Sequence, residues 1–498
     1  MLSHSHAHQK IANINFYCKN IKGVMHKSIT LFLFKTMFCN KSYKDIMEYK
    51  KVFFVGINGV SMSALAFLTF KMGIDVAGSD KNCGKFANKL KKMGIKVYTT
   101  HRKNNIKGCD LVVFSGAIGD DNNELIQAKR LNIKTMERSQ YLGLISQSYG
   151  NVIAISGSHG KTTTTAMIGY IFLLAGLNPT VHIGGELKIF GGNLLVGGKQ
   201  FFITEACEFR DSFLELKPNV SVVTNIEKEH LDFFKTFKNE VASFKKFVNN
   251  TKIKCFANEK TKEFLDSNLK ISFCGIDDFS NWQAKNIKIK ENGKYSFDVF
   301  YNGKYIDKIS LGVAGKFNVD NALLAIAVSQ FYGIKMDIIK KALVTFCNVD
   351  RRFEKLGEKN GNIVVQDYAH HPTEIAKVIQ MCKEVYKKKI VCIFQPHTYS
   401  RTKMLIDDFL SCFDSVKELI ILHTYSAREK YSYLGSAKYL KDKLFSQNKD
   451  FTLVGPLSKQ DVKIQLEKYK DCILLFLGAG DIDECAKGYI EANFNKKL

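Results

Sequence analysis

The stretch Asn151-Val-Ile-Ala-Ile155, Ser156, Gly157-Ser-His-Gly-Lys161-Thr162-Thr163 decides how the chain is read. An apolar run of buried-strand type enters a glycine turn, and a helix signal starts at once. That helix is expected to reach about Ala175, where Gly176 and Pro179 stop it. The N–H groups of such a turn, with the positive end of the helix behind them, form a cradle for an anion. Gly157, Ser158, His159, Gly160, Lys161, Thr162 and Thr163 are therefore read as phosphate-binding residues of a nucleotide site. The Lys161 amine can reach terminal phosphates, and the Thr162 hydroxyl can ligate Mg²⁺. The eight-residue form of this motif asks for glycine at 155, where Ile155 stands, so the loop is a shortened variant.

A magnesium nucleotide also needs hard oxygen ligands near its phosphates. Glu205 follows the apolar run Phe201–Thr204, 44 residues beyond Lys161. In a doubly wound sheet that position is the carboxyl edge, beside the phosphate loop. Glu208 is the alternative at the same edge. His230 comes 25 residues after Glu205, just past a second run, Val220–Thr224. Thr162, with Glu205 or Glu208 and with His230 at the same sheet edge, is a candidate ligand of a magnesium ion on a bound nucleotide.

Upstream, Lys51-Val-Phe-Phe-Val-Gly56 is another apolar strand entering a turn, followed by a helix through Met72 and a strand ending Gly78-Ser79-Asp80. Gly56, Gly59, Ser61 and Met62 lie in that turn and helix start, and Asp80 follows Gly56 by 24 residues. The spacing is that of a dinucleotide unit, yet G-x-G-x-x-G needs glycine at 58 and 61, where Asn58 and Ser61 stand. A diphosphate on a helix N-terminus suits this turn better than NAD does. Downstream, two strands end in dense polar loops, Asp367-Tyr-Ala-His370-His-Pro-Thr-Glu374 and Gln395-Pro-His397-Thr-Tyr-Ser-Arg401. Thr373 and Ser400 are the candidate helix N-caps. Capping accounts for one residue per loop and leaves the histidines, Asp367 and Arg401 for chemistry.

Strand and helix signals alternate throughout, so the fold class is α/β. A basic extension, without an acidic residue before Asp45, is expected over residues 1–49. A Rossmann-like N-terminal domain follows over 50–150, then a central P-loop ATPase-like domain with a mostly parallel sheet over 151–348. A Rossmann-like C-terminal domain covers 349–498. Residues 283–312 read as antiparallel hairpins. A length of 498 residues fits three domains at ~150 residues each. The net charge of +25 comes largely from scattered lysine, as in Lys383, Lys387, Lys388 and Lys389. That pattern is a solvated face rather than a nucleic-acid surface, and it favours anionic substrates. Thirteen cysteines without regular spacing suit a reducing, cytoplasmic compartment. No apolar run approaches the ~20 residues of a spanning helix, so no membrane insertion is expected. A homodimer is compatible with the sequence.

Gly157-Ser-His-Gly-Lys-Thr-Thr-Thr-Thr165, with Thr204-Glu-Ala-Cys-Glu208 and Thr224-Asn-Ile-Glu-Lys-Glu-His230, resembles the central ATPase domain of the Mur ligase family. Gly315-Lys-Phe-Asn318-Val-Asp-Asn321-Ala322 is similar to the stretch that meets the adenine side of ATP. Asp350-Arg-Arg352-Phe353, the two polar loops and Leu477-Gly-Ala-Gly-Asp481 resemble the third domain of the alanine-adding member. The likeness runs in order over residues 51–485.

The resemblance implies ATP-dependent joining of L-alanine to the carboxylate of UDP-N-acetylmuramate through an acyl phosphate, giving ADP and phosphate, in peptidoglycan precursor synthesis. It implies that Lys161 and Thr162 hold phosphates and Mg²⁺, and that Glu205 and His230 ligate magnesium. Asn318 and Asn321 would sit by the adenine, while Arg352 and Asp367 would close onto the nucleotide from the third domain. Gly56, Gly59, Ser61, Met62 and Asp80 would hold the UDP part, and His159 would lie where sugar substrate and ATP meet. His370, His397 and Arg401 would orient L-alanine and the substrate carboxylate. Another amide ligase on this scaffold, such as one recycling cell-wall tripeptide, is one alternative; a NAD-dependent oxidoreductase using the first block is another.

Overall fold

The computed structural model describes residues 46–82, 84–265, 270–447 and 452–491. The basic extension lies outside the described residues up to position 45; Ile46 is already fully buried in the core beside the first sheet.

Three sheets follow one another along the chain. The first holds β1 (Lys51–Val55), β2 (Asp75–Ser79), β3 (Lys96–Tyr98), β4 (Leu111–Phe114) and β5 (Lys134–Glu137). They run parallel in the order β3-β2-β1-β4-β5. Val52 to Val55 are completely buried, as a continuous apolar run must be when helices cover both faces of a parallel sheet. The strand order reverses between β1 and β4, which opens a crevice at the carboxyl edge beside Gly56.

The central sheet contains β6 (Asn151–Ser156), β7 (Thr180–Leu187), β8 (Gly192–Leu195), β9 (Phe201–Glu205), β10 (Val220–Val223), β11 (Lys254–Asn258), β12 (Ile271–Gly275), β13 (Trp282–Ile289), β14 (Lys294–Tyr301) and β15 (Lys304–Ala314). Their order is β15-β14-β13-β12-β11-β10-β6-β9-β7-β8. The interior from β13 to β7 is parallel, and β8, β14 and β15 pair antiparallel at the margins. The expected hairpins over 283–312 are therefore present as β13 to β15. The helix Lys161–Leu174 packs against the helix Phe317–Phe331, whose residues Ala322 to Val328 are fully buried. This second helix can start at Phe317 because Gly315 turns the chain at φ +96 directly after β15.

The third sheet holds β16 (Glu354–Lys359), β17 (Asn362–Asp367), β18 (Ile390–Phe394), β19 (Glu418–Leu422), β20 (Thr452–Leu457) and β21 (Ile473–Leu477), in the order β16-β17-β21-β18-β19-β20. All pairs are parallel except the edge pair β16–β17. Both polar loops leave the carboxyl ends of parallel strands, β17 and β18. Among the described residues no helix is long and apolar enough to cross a membrane.

Candidate active site

The turn after β6 has the backbone that its glycines demand. Gly157 has φ +131 and Gly160, the N-cap of helix Lys161–Leu174, has φ +82. A side chain at Gly157 would strike the Thr224 hydroxyl, and a Cβ at Gly160 would lie 2.6 Å from Asn321 Oδ1. The turn is pinned from β10 by Asn225, whose Oδ1 accepts from His159 N at 2.8 Å. Asn321 accepts from the Thr164 hydroxyl at 3.2 Å and donates to Asn318 Oδ1 at 3.0 Å; Asn318 donates to Ala314 O at 2.6 Å. Asn318 and Asn321 thus border the phosphate loop. With Gly160, Thr163 and Lys260 of the central layer and Arg352 and Asp367 of the third, they line a cavity of about 120 Å³.

Lys161 folds back over its own turn, donating to Gly157 O and, at 3.0 Å, to Ser158 O and Glu208 Oε1. Burial, the largest single influence, favours the neutral amine, but Glu208 together with Cys207 and Glu229 outweighs it and raises the lysine pKa. Glu205 lies beside Thr162 and accepts from Gly184 N at 2.5 Å. Its burial pushes the carboxyl pKa up, against the opposing pull of the Gly184 N–H and the Thr162 hydroxyl. His230, at φ +53, stands 3.7 Å from Glu208 and 3.8 Å from Glu229. One ligand atom from each of Glu208, Glu229 and His230 falls within 4.8 Å of the others, and Glu229 Oε1 is buried without a hydrogen-bond partner. Hard oxygens and an imidazole aimed at one point fit a divalent cation. The structure groups His230 with Glu208 and Glu229, while Glu205 stands with Thr162. Glu208 reaches back to Lys161, and the turn after it passes through Arg210 and Asp211 at φ +54 and +56.

His159 bridges the central and third layers. Its Nδ1 is 3.2 Å from Glu374 and its Nε2 is 3.3 Å from Glu227. Burial would drive the proton off, yet Glu374 and then Glu227 hold the ring cationic, with a pKa raised to about 10. Arg352 reaches the same Glu374 at 3.7 Å and lies over the Tyr368 ring. Asp367 accepts from Phe353 N and Ala369 N, each at 2.7 Å. Burial lifts its pKa to about 6, with Arg352 working against the rise.

A larger cleft of about 650 Å³ lies where the three layers meet, lined by Arg138, His230, His371, His397 and Arg401 among others. The guanidinium of Arg401 donates from Nη1 to His397 Nδ1 at 3.1 Å. Burial, then Arg401, lowers the His397 pKa to about 4, so the ring stays neutral and able to accept. It stacks on Tyr425 at 5.5 Å. His370 packs edge-on against His397 at 5.6 Å and is held neutral by burial and Arg401, with a pKa of about 3.

In the first layer, Gly56, Gly59 and Asp80 line a separate pocket of about 760 Å³. Asp80 accepts from Asn58 N at 3.0 Å, and the Asn58 side chain accepts from Ala87 N at 2.9 Å, closing the loop without the expected glycine. Two expected contacts lie elsewhere. Met62 is 2% exposed and packs in the core, because its helix is buried by the central layer as well as by its own sheet. Ser61 bonds His182 of β7 at 3.1 Å and accepts from Arg138 at 3.4 Å.

Residues not singled out from sequence include Glu227, Glu229, Arg138, Lys260 and Arg428. Glu227 and Glu229 were inside the quoted stretch ending at His230, and an acidic pair ahead of that histidine was the available signal. Nothing in the spacing marks Arg428, which a third-layer loop carries to the first-layer pocket.

Three family models match in order: the Mur ligase family catalytic domain over 51–149, the Mur ligase middle domain over 155–329 and the Mur ligase glutamate ligase domain over 351–461. The UDP-N-acetylmuramate–L-alanine ligase of Caldanaerobacter subterraneus subsp. tengcongensis is 39% identical over 455 residues, covering 90% of this chain and 99% of that protein. The ligase of the same name from Clostridium perfringens is 40% identical, covering 88% and 97%. The crystal structure of UDP-N-acetylmuramate-alanine ligase from Thermotoga maritima superposes with a TM-score of 0.77 at 28% identity, covering 90% of this chain and all of that one. Three successive α/β layers with the phosphate loop in the central one, matched in order by all three models, place the chain in the Mur ligase family.

Proposed function

We propose that the chain joins L-alanine to the carboxylate of UDP-N-acetylmuramate, converting ATP to ADP and phosphate, in peptidoglycan precursor synthesis. One observation carries this reading. Glu229, His230 and the Arg401–His397 pair line one cleft between the layers, and His159 and Gly160 of the phosphate loop line a second cavity with Arg352, Asp367 and Glu374 of the third layer. The identity to alanine-adding ligases along nearly the whole chain supports the choice of substrates.

A carboxylate does not acylate an amine at neutral pH. Its oxygen attacks the γ-phosphorus of ATP, the bond to the ADP oxygen breaks, and ADP leaves with the electron pair. The charge of the in-line transfer spreads over the phosphoryl oxygens, where the Lys161 ammonium and the turn N–H groups stabilise it. A magnesium ion held by Thr162 and Glu205, or by Glu208, Glu229 and His230, would add positive charge there. The amine of L-alanine then attacks the acyl carbon; the C–O bond to phosphate breaks, phosphate departs with its pair, and the amine proton passes to solvent. His397 fixes the Nη1 corner of Arg401 by accepting at its Nδ1 and its backbone O, which leaves the Nη2 and Nε N–H groups to grip the alanine carboxylate. Gly56, Gly59 and Asp80 hold the UDP moiety at the first-layer crevice. Positioning accounts for most of the rate in such a site.

The test is ADP and phosphate release with each of ATP, UDP-N-acetylmuramate and L-alanine omitted in turn. Release that needs all three supports the reading; release indifferent to the sugar nucleotide or the amino acid removes it. Glycine should react more slowly by about 10- to 200-fold, the span one methyl group supplies.

A further inference from the structure

The loop after β17 presents two adjacent histidines, His370 and His371, and the reaction steps above give the second no role. His371 is the N-cap of the helix Pro372–Tyr386, and its Nδ1 accepts from Thr373 N at 3.3 Å. Thr373, the cap expected from sequence, is instead the residue that is capped. A ring nitrogen that accepts carries no proton, so the neutral ring holds its proton on Nε2. Burial, and after it the neighbouring His159 cation, lower the His371 pKa and keep the ring neutral. Nε2 is buried without a partner, in a residue only 6% exposed. A buried N–H donor without an acceptor is costly and asks for an explanation.

A metal ion is the first explanation to weigh, since His159, Glu227 and His371 bring ligand atoms within 4.8 Å of one another. The proton count opposes it. Both nitrogens of the His159 ring face carboxylates, at 3.2 and 3.3 Å, the arrangement of a protonated ring, and Nδ1 of His371 already accepts from Thr373 N. Neither ring has a free lone pair to offer.

The remaining explanation is an acceptor brought by substrate. His371 belongs to the wall of the three-layer cleft, with His230, His397 and Arg401. It does not line the nucleotide cavity that holds His159 and Gly160. We propose that the Nε2–H of His371 donates to the carboxyl oxygen of the sugar nucleotide that becomes the oxyanion when the amine attacks, making His371 a further catalytic residue. The inference rests on the acyl-phosphate reading above. When nitrogen adds to the acyl carbon, the C=O electron pair moves onto that oxygen, and a fixed N–H is worth most at this point.

Capping and catalysis separate cleanly here, because serine and asparagine are better N-caps than histidine. His371→Ser and His371→Asn keep an acceptor for Thr373 N and remove the Nε2 donor. The experiment measures kcat, the KM for ATP and the melting temperature of the full chain with ATP, UDP-N-acetylmuramate and L-alanine. The expected result is a kcat lower by about 100-fold or more in both variants, an unchanged KM for ATP, and a melting temperature equal to or above wild type. His371→Gln, whose side-chain amide N–H reaches toward the same oxygen, should recover part of the rate. A wild-type kcat in the serine and asparagine variants would overturn the inference while leaving the ligase reading intact. So would a rate loss that tracks a lowered melting temperature in both variants, since that marks a cap alone. Absence of turnover by the wild-type protein would instead sink the ligase reading, and this inference with it.

Discussion

Replacing Glu374 by glutamine should bring the His159 pKa down sharply while the protein still folds. The His159 ring is 9% exposed, with carboxylates 3.2 and 3.3 Å from its two nitrogens. Its pKa rises from 6.5 to about 10, with burial opposing and Glu374 the largest favourable contributor. At about 1.36 kcal/mol per pH unit, that rise corresponds to roughly 5 kcal/mol between the two protonation states. Glu374 acts through both charge and hydrogen bond, so its removal is expected to cost roughly 3 kcal/mol, within the range for breaking a buried pair. The sign follows from the raised folded pKa. The stabilisation is complete below the unfolded value of 6.5 and is lost as pH climbs through about 10. Wild type should therefore lose stability between those limits, and Glu374→Gln should be flatter over the same window. The assay is an NMR titration of the imidazole carbons, with denaturant unfolding at pH 6, 8 and 10 on both proteins. A wild-type His159 that titrates near 6.5 would refute the reasoning, as would a Glu374→Gln variant that retains the high value.

Lys161→Ala should remove nearly all ADP formation while UDP-N-acetylmuramate still binds by calorimetry; near-normal turnover would dismiss the phosphate-loop assignment. Glu208→Gln should raise the Mg²⁺ concentration for half-maximal activity by about 10-fold or more, as loss of an ionic ligand does, and an unchanged magnesium titration would count against the Glu208–Glu229–His230 grouping. Gly160→Ala places a Cβ 2.6 Å from Asn321 at φ +82, so it should cost about 1–3 kcal/mol of stability and weaken ATP binding; a wild-type melting curve and ATP affinity would show that the turn does not need its left-handed residue.

The phosphate turn, the strands on either side of it and the α/β class were legible because a buried parallel strand is a plain apolar run and the glycines at 157 and 160 have no other tolerable explanation. The edge strands were harder. β8, β16 and β20 mix glycine with polar, charged or half-buried positions, so neither alternation nor a continuous apolar run marks them. At the site, spacing put Glu205 and Glu208 at one sheet edge alike. Only the folded chain separates them, bringing the second to Lys161 and His230. The pairing of His159 with Glu374 joins a turn of the central layer to a helix of the third, 215 positions apart, and no local pattern carries such a contact. His371 was hidden by its neighbour: Pro372 at the first helical position makes the residue before it the cap, which shifts the expected cap from Thr373. Met62 was placed with the diphosphate by its position at a helix start; burial of that helix by the central layer was not visible from the first block alone.

The most direct test of the acyl-phosphate route uses UDP-N-acetylmuramate labelled with oxygen-18 in its carboxylate, together with ATP and L-alanine. Mass spectrometry of the released phosphate should find one labelled oxygen per turnover, carried over from the carboxylate. Unlabelled phosphate, or AMP and pyrophosphate in place of ADP and phosphate, would contradict the account.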